Sequence, residues 1–344
     1  MSAPRVRFWT FNYMPQWEAV SKEIASLLTG LAGVVDGSLV SLNTHERDLQ
    51  LRGPVKRIPL PHGLPLYPLL RAHAASADFN HLFASAGERW LTSILARHNG
   101  VLTVAKYTAG FERIERNVPV FRRYRAIVVQ CERDRDLLRQ LGLAAASVRL
   151  IRPGIPIAPY REAQGPFTIL FASSPFSATD FVSRGVYLMV AAAARLPDVR
   201  FLLVWRRGHA GKLRNLLAEA RVSNVEIHDG VVRDMGEIYG RAHAAILPAL
   251  EHRSFIPAPR SGLEALAHGK PLLASQYVSL APSLARAGAG VVFEPTLGGL
   301  EAAVRRLQRD YPAMQECAQP YVERHYSPST HLELHRRLYQ ALGG

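Results

Sequence analysis

A hydroxyl and a carboxylate stand three residues apart, at Ser261 and Glu264, in a segment that runs to Ser275. Ser-x-x-Glu is the pattern of a capping box, in which both side chains bind amide groups at the start of a helix. The same carboxylate could instead bind a ligand diol, because each of its two oxygens can accept a hydrogen bond. The two interpretations are compatible, and the helix and strand predicted around the pair help to decide between them.

The residues after Glu264 predict a short helix that ends at a glycine and is followed by a buried strand. Gly269 has the position of a left-handed C-cap, and Pro271 prevents the helix from continuing. Leu272–Ala274 is a short apolar run, as expected for a strand of a parallel sheet. The segment closely resembles the signature of the group 1 (family 4-like) retaining glycosyltransferases, which have the GT-B fold.

The resemblance implies a donor site for a nucleotide-sugar. Glu264 would bind both ribose hydroxyls, and its neighbours Ser261, Gly262 and Leu263 would complete the nucleotide site. Arg184-Gly185 stands where the family carries a Lys-Gly that holds the diphosphate. The alternative for Arg184 is a solvent-facing residue in the first turn of a helix.

The chain departs from the family pattern before Arg184. The family's upstream arginine has no equivalent in Ser173–Ser183, which is predicted to be a long loop without a basic residue. Its hydroxyls, among them Ser174, could bind phosphate oxygens instead. Arg206, after the next predicted strand, could also compensate, although a basic surface turn is the alternative.

A second departure concerns the transferring sugar. The family has a glutamate eight positions before the ribose glutamate, and this chain has Ile256 there. Glu251 could take that role through a bulged loop, or it could belong to an ordinary polar loop. Lys106 stands where the family often has a histidine, and it is equally compatible with a surface lysine. The resemblance implies a retaining mechanism without a protein nucleophile, a metal or a cofactor.

Composition and charge limit the remaining possibilities. A chain of 344 residues with 48% apolar content suggests two soluble domains, and no apolar run is long enough to span a bilayer. The N-terminal residues resemble a first strand, so we expect no signal peptide and a cytoplasmic location. Two cysteines, Cys131 and Cys317, suggest neither a disulfide framework nor a metal site.

The formal charge of +14 predicts an anionic partner. Nucleic acid ranks last, because no zinc-finger, RNP-like or convincing helix-turn-helix pattern is present. In Phe111–Arg125, aromatic and aliphatic residues alternate with five arginines, which suits the headgroup region of an anionic membrane. A basic helix face over the core is the alternative. The protein could therefore be peripheral on the inner face of the membrane.

Short apolar runs alternate with helical stretches, as in doubly wound α/β domains. We predict an acceptor-binding domain at 1–155, a nucleotide-sugar-binding domain at 156–328, and a helix at 329–344 that crosses back to the first domain. A Thr330-x-x-Glu333 capping box would begin that last helix. The predicted fold is GT-B, two Rossmann-like domains with a cleft between them. Predicted strands include Arg5–Thr10, Val34–Leu42, Phe167–Ala172 and Ala244–Leu247.

The predicted function is transfer of a sugar from a UDP- or GDP-linked donor to a glycan, lipid-linked or small-molecule acceptor. Two alternatives remain open. The absence of a glutamate at position 256 is compatible with a catalytically silent relative that acts as a binding or scaffold subunit. A sugar-nucleotide 2-epimerase would share the same two-domain architecture.

Overall fold

The computed structural model describes residues 3–16, 18–42, 56–57, 66–86, 90–105, 111–175, 177–205 and 208–343. The chain divides into two compact units: unit 1 is Met1–Gly154 with Pro328–Gly344, and unit 2 is Ile155–Ser327. These bounds lie within one residue of the predicted ones.

Unit 1 is built on one sheet whose paired strands all run parallel, in the order β3-β2-β1-β4-β5-β6-β7. Helices lie between consecutive strands, as parallel pairing requires, except that the connection from β2 to β3 lies outside the described residues. Its strands are β1 (Arg5–Thr10), β2 (Asp36–Ser41), β3 (Lys56–Arg57), β4 (Phe79–Ala84), β5 (Gly100–Val104), β6 (Ala126–Val129) and β7 (Val148–Leu150). Its first helices are α1 (Ala19–Gly30), α2 (Leu66–Ala75), α3 (Trp90–Leu95), α4 (Phe111–Phe121) and α5 (Glu132–Gln140).

Unit 2 repeats this architecture with a six-stranded parallel sheet in the order β10-β9-β8-β11-β12-β13. Its central strands are buried along their whole length, which is why they read as continuous apolar runs. The strands are β8 (Thr168–Phe171), β9 (Arg200–Trp205), β10 (Val225–Asp229), β11 (Ala244–Leu247), β12 (Leu272–Ser275) and β13 (Gly290–Phe293). The helices are α6 (Ala178–Ser183), α7 (Val186–Arg195), α8 (Ala210–Glu219), α9 (Met235–Gly240), α10 (Arg260–Ala267), α11 (Ala281–Ala287), α12 (Leu297–Arg309) and α13 (Tyr311–Tyr326).

The last helix, α14 (Pro328–Gly343), returns to unit 1. Its Tyr339 is buried against Phe8 of β1 and Phe79 of β4. The helix begins two residues before Thr330, because a proline is well suited to the first helical position. The predicted capping box is therefore wrong, and Glu333 instead pairs with Arg336 and Arg337.

The segment predicted as a membrane contact forms α4 and the turn after it. Ile114, Val118, Phe121 and Tyr124 lie in the core of unit 1, which is the alternative interpretation of their spacing. Arg116, Arg122, Arg123 and Arg125 are exposed. Among the described helices, none combines the length and the apolar content of a membrane span.

Candidate donor site in unit 2

The sheet of unit 2 changes direction between β8 and β11. From β8 the chain moves outward to β9 and β10, and it then returns to β11 and continues the other way. Strands β8 and β11 pair in parallel, so that the loops after both emerge at the same edge of the sheet. Open α/β sheets bind ligands at such a switch point, outside the carboxyl ends of the strands. The two loops and the helix that follows β11, α10, are therefore the candidate site.

The first of these loops is shorter than predicted. Residues 178–183 form α6, whose start is capped by Ser177: its Oγ accepts a hydrogen bond from the Asp180 amide, 3.0 Å away. Before this helix, the Ser174 hydroxyl donates to the Val204 carbonyl oxygen of the neighbouring strand, 3.1 Å away. The prediction of a long irregular loop at Ser173–Ser183 is thus wrong for its second half, because Ser177 is a favourable N-cap.

Arg184 follows α6, and its guanidinium binds the chain itself. Its Nη1 donates to the carbonyl oxygens of Ser173 and Ser174, at 3.2 and 2.9 Å, and to the Ser173 hydroxyl at 3.2 Å. The guanidinium lies 5.5 Å from the ring centroid of Phe255, and the residue is only 5% exposed. The solvent-facing alternative is therefore wrong. Contact with a diphosphate stays a prediction for this residue.

We expect Arg184→Met to lower the free energy of unfolding of unit 2 by about 2–3 kcal/mol, because it leaves buried carbonyl oxygens without their donor. The measurement is urea unfolding without nucleotide. The matched control is Arg214→Met, which removes a mostly exposed arginine paired with Asp229 and should change stability by about 0.5 kcal/mol or less. Unchanged stability together with lost nucleotide binding would instead assign Arg184 to the ligand alone.

Gly185 joins the loops after β8 and β11. Its φ is +70°, and a Cβ there would lie 2.1 Å from the carbonyl oxygen of Pro248. Two hydrogen bonds reach the Ser183 carbonyl oxygen from the second loop, one from the Leu250 amide at 2.8 Å and one from the Ser254 hydroxyl at 2.7 Å. The two loops therefore form one packed structure.

Glu251 lies in the second of these loops. Its carboxylate accepts a hydrogen bond from Arg253 Nε at 2.9 Å, and its side chain is 38% exposed. The Ser254 amide also donates to the Glu251 carbonyl oxygen, at 3.1 Å. The same serine thus ties the backbone of Glu251 to the end of α6, so that the carboxylate is carried on an anchored turn.

Helix α10 carries Glu264. It begins at Arg260, and Pro259 is its N-cap residue, so that Ser261 is not the cap. The predicted capping box is wrong at this position too, because Pro259 is the N-cap and the helix starts two residues earlier than predicted. Glu264 Oε1 accepts a hydrogen bond from Arg260 Nε at 2.8 Å, and Oε2 accepts one from Tyr239 Oη at 3.4 Å. The predicted end of this helix is confirmed, because Gly269 follows it in the left-handed conformation, with a φ of +72°.

Two predicted donor-site residues position α10 on the sheet. Leu263 is completely buried. A Cβ at Gly262 would lie 2.7 Å from Leu247 Cδ1, which shows how closely the helix approaches the end of β11. The carbonyl oxygen of Ser261 accepts a hydrogen bond from Tyr239 Oη at 3.2 Å. These contacts fix the place of Glu264 at the edge of the sheet.

Lys106 and Arg206 lie outside the described residues, so their roles stay predictions. Two residues next to Glu264, Arg260 and Tyr239, were missed in the sequence. Arg260 and Glu264 have the i,i+4 spacing of a helical ion pair. This spacing would have predicted their contact if the helix had been predicted to start at Arg260. Tyr239 comes from α9, and no sequence pattern links it to Glu264.

Within the described ranges, no cluster of three or more His, Cys, Asp or Glu residues is arranged to hold a metal ion.

Comparison with known proteins finds a family model that is similar to this part of the chain. Residues 167–310 match the family model described as glycosyl transferases group 1. This range contains β8 to α12 and therefore both loops and α10. No curated protein is significantly similar to the chain.

Solved structures share the fold over nearly the whole chain. A sucrose-phosphate synthase from Thermosynechococcus elongatus superposes with a TM-score of 0.79 at 16% identity, covering 98% of this chain and 99% of that one. HepE from Anabaena, in complex with UDP and glucose, gives 0.79 at 13% identity over 98% and 100%. WaaG, a glycosyltransferase involved in lipopolysaccharide biosynthesis, gives 0.70 at 16% identity over 96% and 99%.

The predicted GT-B fold is thereby confirmed. Residues 167–310 of unit 2 are similar to a group 1 glycosyltransferase domain, and this similarity together with the shared fold supports a nucleotide-sugar-dependent glycosyltransferase.

Proposed function

We propose that the protein transfers a sugar from a UDP- or GDP-linked donor to a carbohydrate or lipid-linked acceptor, with retention and without a metal. The observation that carries the proposal is the place of Glu264. It stands on a helix fixed to the end of β11, at the switch point of a group 1 domain. A carboxylate at this edge can accept hydrogen bonds from a ribose diol.

The donor would be bound by unit 2. Glu264 would bind the ribose, and the loop of Ser174, Arg184 and Gly185 would face the diphosphate. UDP is the first nucleotide to test, since HepE has been solved with UDP and with UDP-glucose. Arg206, after β9, would add a positive charge on the same side.

The transferring sugar would lie near Glu251, and Lys106 of unit 1 would contact the donor or the acceptor. In the proposed retaining mechanism, the leaving phosphate helps to deprotonate the incoming hydroxyl, and no side chain acts as nucleophile. Unit 1, the proposed acceptor domain, holds 23 Lys and Arg against 13 Asp and Glu. This charge and the exposed arginines of α4 and the turn after it favour an acceptor on an anionic membrane at the cytoplasmic face.

The proposal predicts that one nucleoside diphosphate stabilises the protein against heat. At about a hundredfold over its dissociation constant, a ligand that binds only the folded state adds about 2.7 kcal/mol. We expect UDP or GDP to raise the melting temperature, Glu264→Ala to abolish the rise, and release of the nucleotide from its sugar conjugate to require an acceptor. The measurement is a thermal shift over UDP, GDP, dTDP and ADP, followed by a turnover assay.

The matched control is Glu219→Ala, which removes an exposed carboxylate at the end of α8. It should leave the shift unchanged. A folded protein that responds to none of the four nucleotides contradicts the donor site. Nucleotide binding without turnover would favour the silent relative, which is suggested by Ile256 and by the ion pair that engages Glu251 with Arg253.

A further inference from the structure

The carboxylate proposed to bind ribose is already held by the protein from two sides. Arg260 Nε donates to one oxygen at 2.8 Å, and Tyr239 Oη lies 3.4 Å from the other. The side chains of Arg260 and Glu264 are only 16% and 21% exposed, so their ion pair is better protected from solvent screening than an ordinary surface pair.

The pair cannot turn away from the edge of the sheet. Arg260 and Glu264 are four residues apart and share one face of α10, whereas Gly262 and Leu263 face the sheet. A Cβ at Gly262 would lie 2.7 Å from Leu247 Cδ1, so the helix packs closely on a side chain at the end of β11. The buried face of α10 therefore fixes the orientation of the face that carries the ion pair.

The charge of Arg260 matters because the proposed donor is an anion. A lone carboxylate beside the ribose would repel the attached diphosphate, and a permanently charged guanidinium cancels that repulsion. Arg184 directs Nη1 to backbone carbonyl oxygens. In the part of the chain that the structure describes, Arg260 makes its one hydrogen bond through Nε, which leaves the terminal nitrogens to face a ligand.

We propose that Arg260 is a donor-positioning residue, which orients the Glu264 carboxylate, neutralises it, and directs its terminal nitrogens to the diphosphate. This inference rests on the proposed function, since it needs a nucleotide at Glu264. The family's arginine upstream of Arg184 has no equivalent in Ser173–Ser183, and Arg260 would supply that positive charge in this protein.

The test is calorimetric titration of the full chain with UDP and uridine, and with GDP and guanosine. We expect Arg260→Gln to weaken the bound diphosphate about 10- to 100-fold, the effect of losing a charged hydrogen bond. The matching nucleoside should weaken only a few-fold, because it carries no phosphate. Arg260→Lys keeps the charge but loses the Nε contact, and it should have an intermediate effect. The matched control is Arg306→Gln, which breaks another i,i+4 pair of unit 2, with Asp310; it should bind as wild type.

A double-mutant cycle with Glu264→Gln, which removes the charge but keeps an acceptor oxygen for the ribose, separates positioning from a general structural role. If Arg260 acts through the Glu264 carboxylate, Arg260→Gln should have a smaller effect in the Glu264→Gln background. Unchanged diphosphate affinity in a folded Arg260→Gln protein, or additive effects in the cycle, would overturn the inference while leaving the donor site intact. If Arg260→Gln does not fold, the Arg260→Lys titration and its cycle decide in the same way. A wild-type protein that binds no nucleotide would overturn the proposed function and this inference together.

Discussion

Replacing Gly185 with alanine should destabilise unit 2 by about 3 kcal/mol or more. The residue has a φ of +70°, which costs an alanine about 1–2 kcal/mol. The added Cβ would also lie 2.1 Å from the Pro248 carbonyl oxygen, a backbone atom that cannot rotate away, so an overpacking cost of about 1–3 kcal/mol follows. Urea unfolding of the purified variant measures the change.

The same substitution should abolish nucleotide binding even where the protein remains folded. Gly185 lies directly after Arg184, and Pro248 opens the loop that carries Glu251. A shift large enough to admit a methyl group therefore separates the two loops that form the candidate site. The nucleotide-induced thermal shift reports this loss independently of the stability measurement.

The control is Gly211→Ala in α8. A Cβ at Gly211 meets no atom within 4 Å, and the residue is helical, so alanine should stabilise the protein by up to about 1 kcal/mol. A Gly185→Ala protein with wild-type stability would show that the loops after β8 and β11 do not pack as described.

Much of the fold could be predicted because its central strands are buried on both faces. The predicted strands Arg5–Thr10 and Ala244–Leu247 match β1 and β11 residue for residue. Val34–Leu42 was predicted too long, since Val34 is in a turn, Val35 forms only an isolated bridge to Ala32, and β2 runs from Asp36 to Ser41. A continuous apolar run fixes the middle of such a strand, but hydrogen bonding to its neighbours decides the ends.

The candidate site was less predictable, because its side chains are arranged by contacts that are distant in sequence. Both Ser/Thr-x-x-Glu patterns gave wrong helix starts, since Pro259 and Pro328 set the starts instead. The burial of Arg184 depends on Phe255, more than seventy residues later. The contact of Tyr239 with Glu264 joins two different helices, α9 and α10, and it can be seen only once both helices are packed at the edge of the sheet.

Unit 1 should lose stability in mild acid because of a cluster of buried histidines, two of which, His81 and His335, have a lowered pKa. His81 lies on β4, and His331 and His335 lie on α14; all three are almost completely buried. His81 is bonded through Nδ1 to Tyr339 Oη and through Nε2 to Thr103 Oγ1, both at 2.6 Å. The two histidines of α14 donate through Nδ1 to carbonyl oxygens, His331 to Arg152 at 2.8 Å and His335 to His331 at 3.0 Å.

Burial, with the neighbouring His331 second, lowers the pKa of His81 from 6.5 to about 3. Burial, followed by His331 and His81, holds the pKa of His335 well below its ordinary value. The nearby acidic group is Glu23 of α1, which acts on Tyr339, the hydrogen-bond partner of His81, and accepts a hydrogen bond from Gln130 Nε2 at 2.7 Å. Below pH 6.5 the unfolded chain therefore binds more protons than the folded one, and stability falls as the pH falls from 6.5 towards 3.

At pH 5.5 the expected loss is about 1.4 kcal/mol for each of His81 and His335, relative to neutral pH. Hydrogen exchange of peptides from α14, compared at pH 7.5 and 5.5 after correction for the intrinsic rate, measures it within unit 1. His335→Phe should remove about half of the pH dependence, because the ring still fills the space between His331 and His81 but can no longer be protonated.

The control is His228→Gln in β10 of unit 2, which should leave the exchange of α14 unchanged at both pH values. An acid loss of equal size in the wild type and in His335→Phe would contradict the assignment to this cluster. In that case the loss would have to come from carboxylates, whose protonation begins at lower pH and would move the transition below pH 5. The pH at which half of the stability is lost, measured over a series of pH values, therefore distinguishes the histidines from the carboxylates. The buried histidines lower stability from pH 6.5 downward.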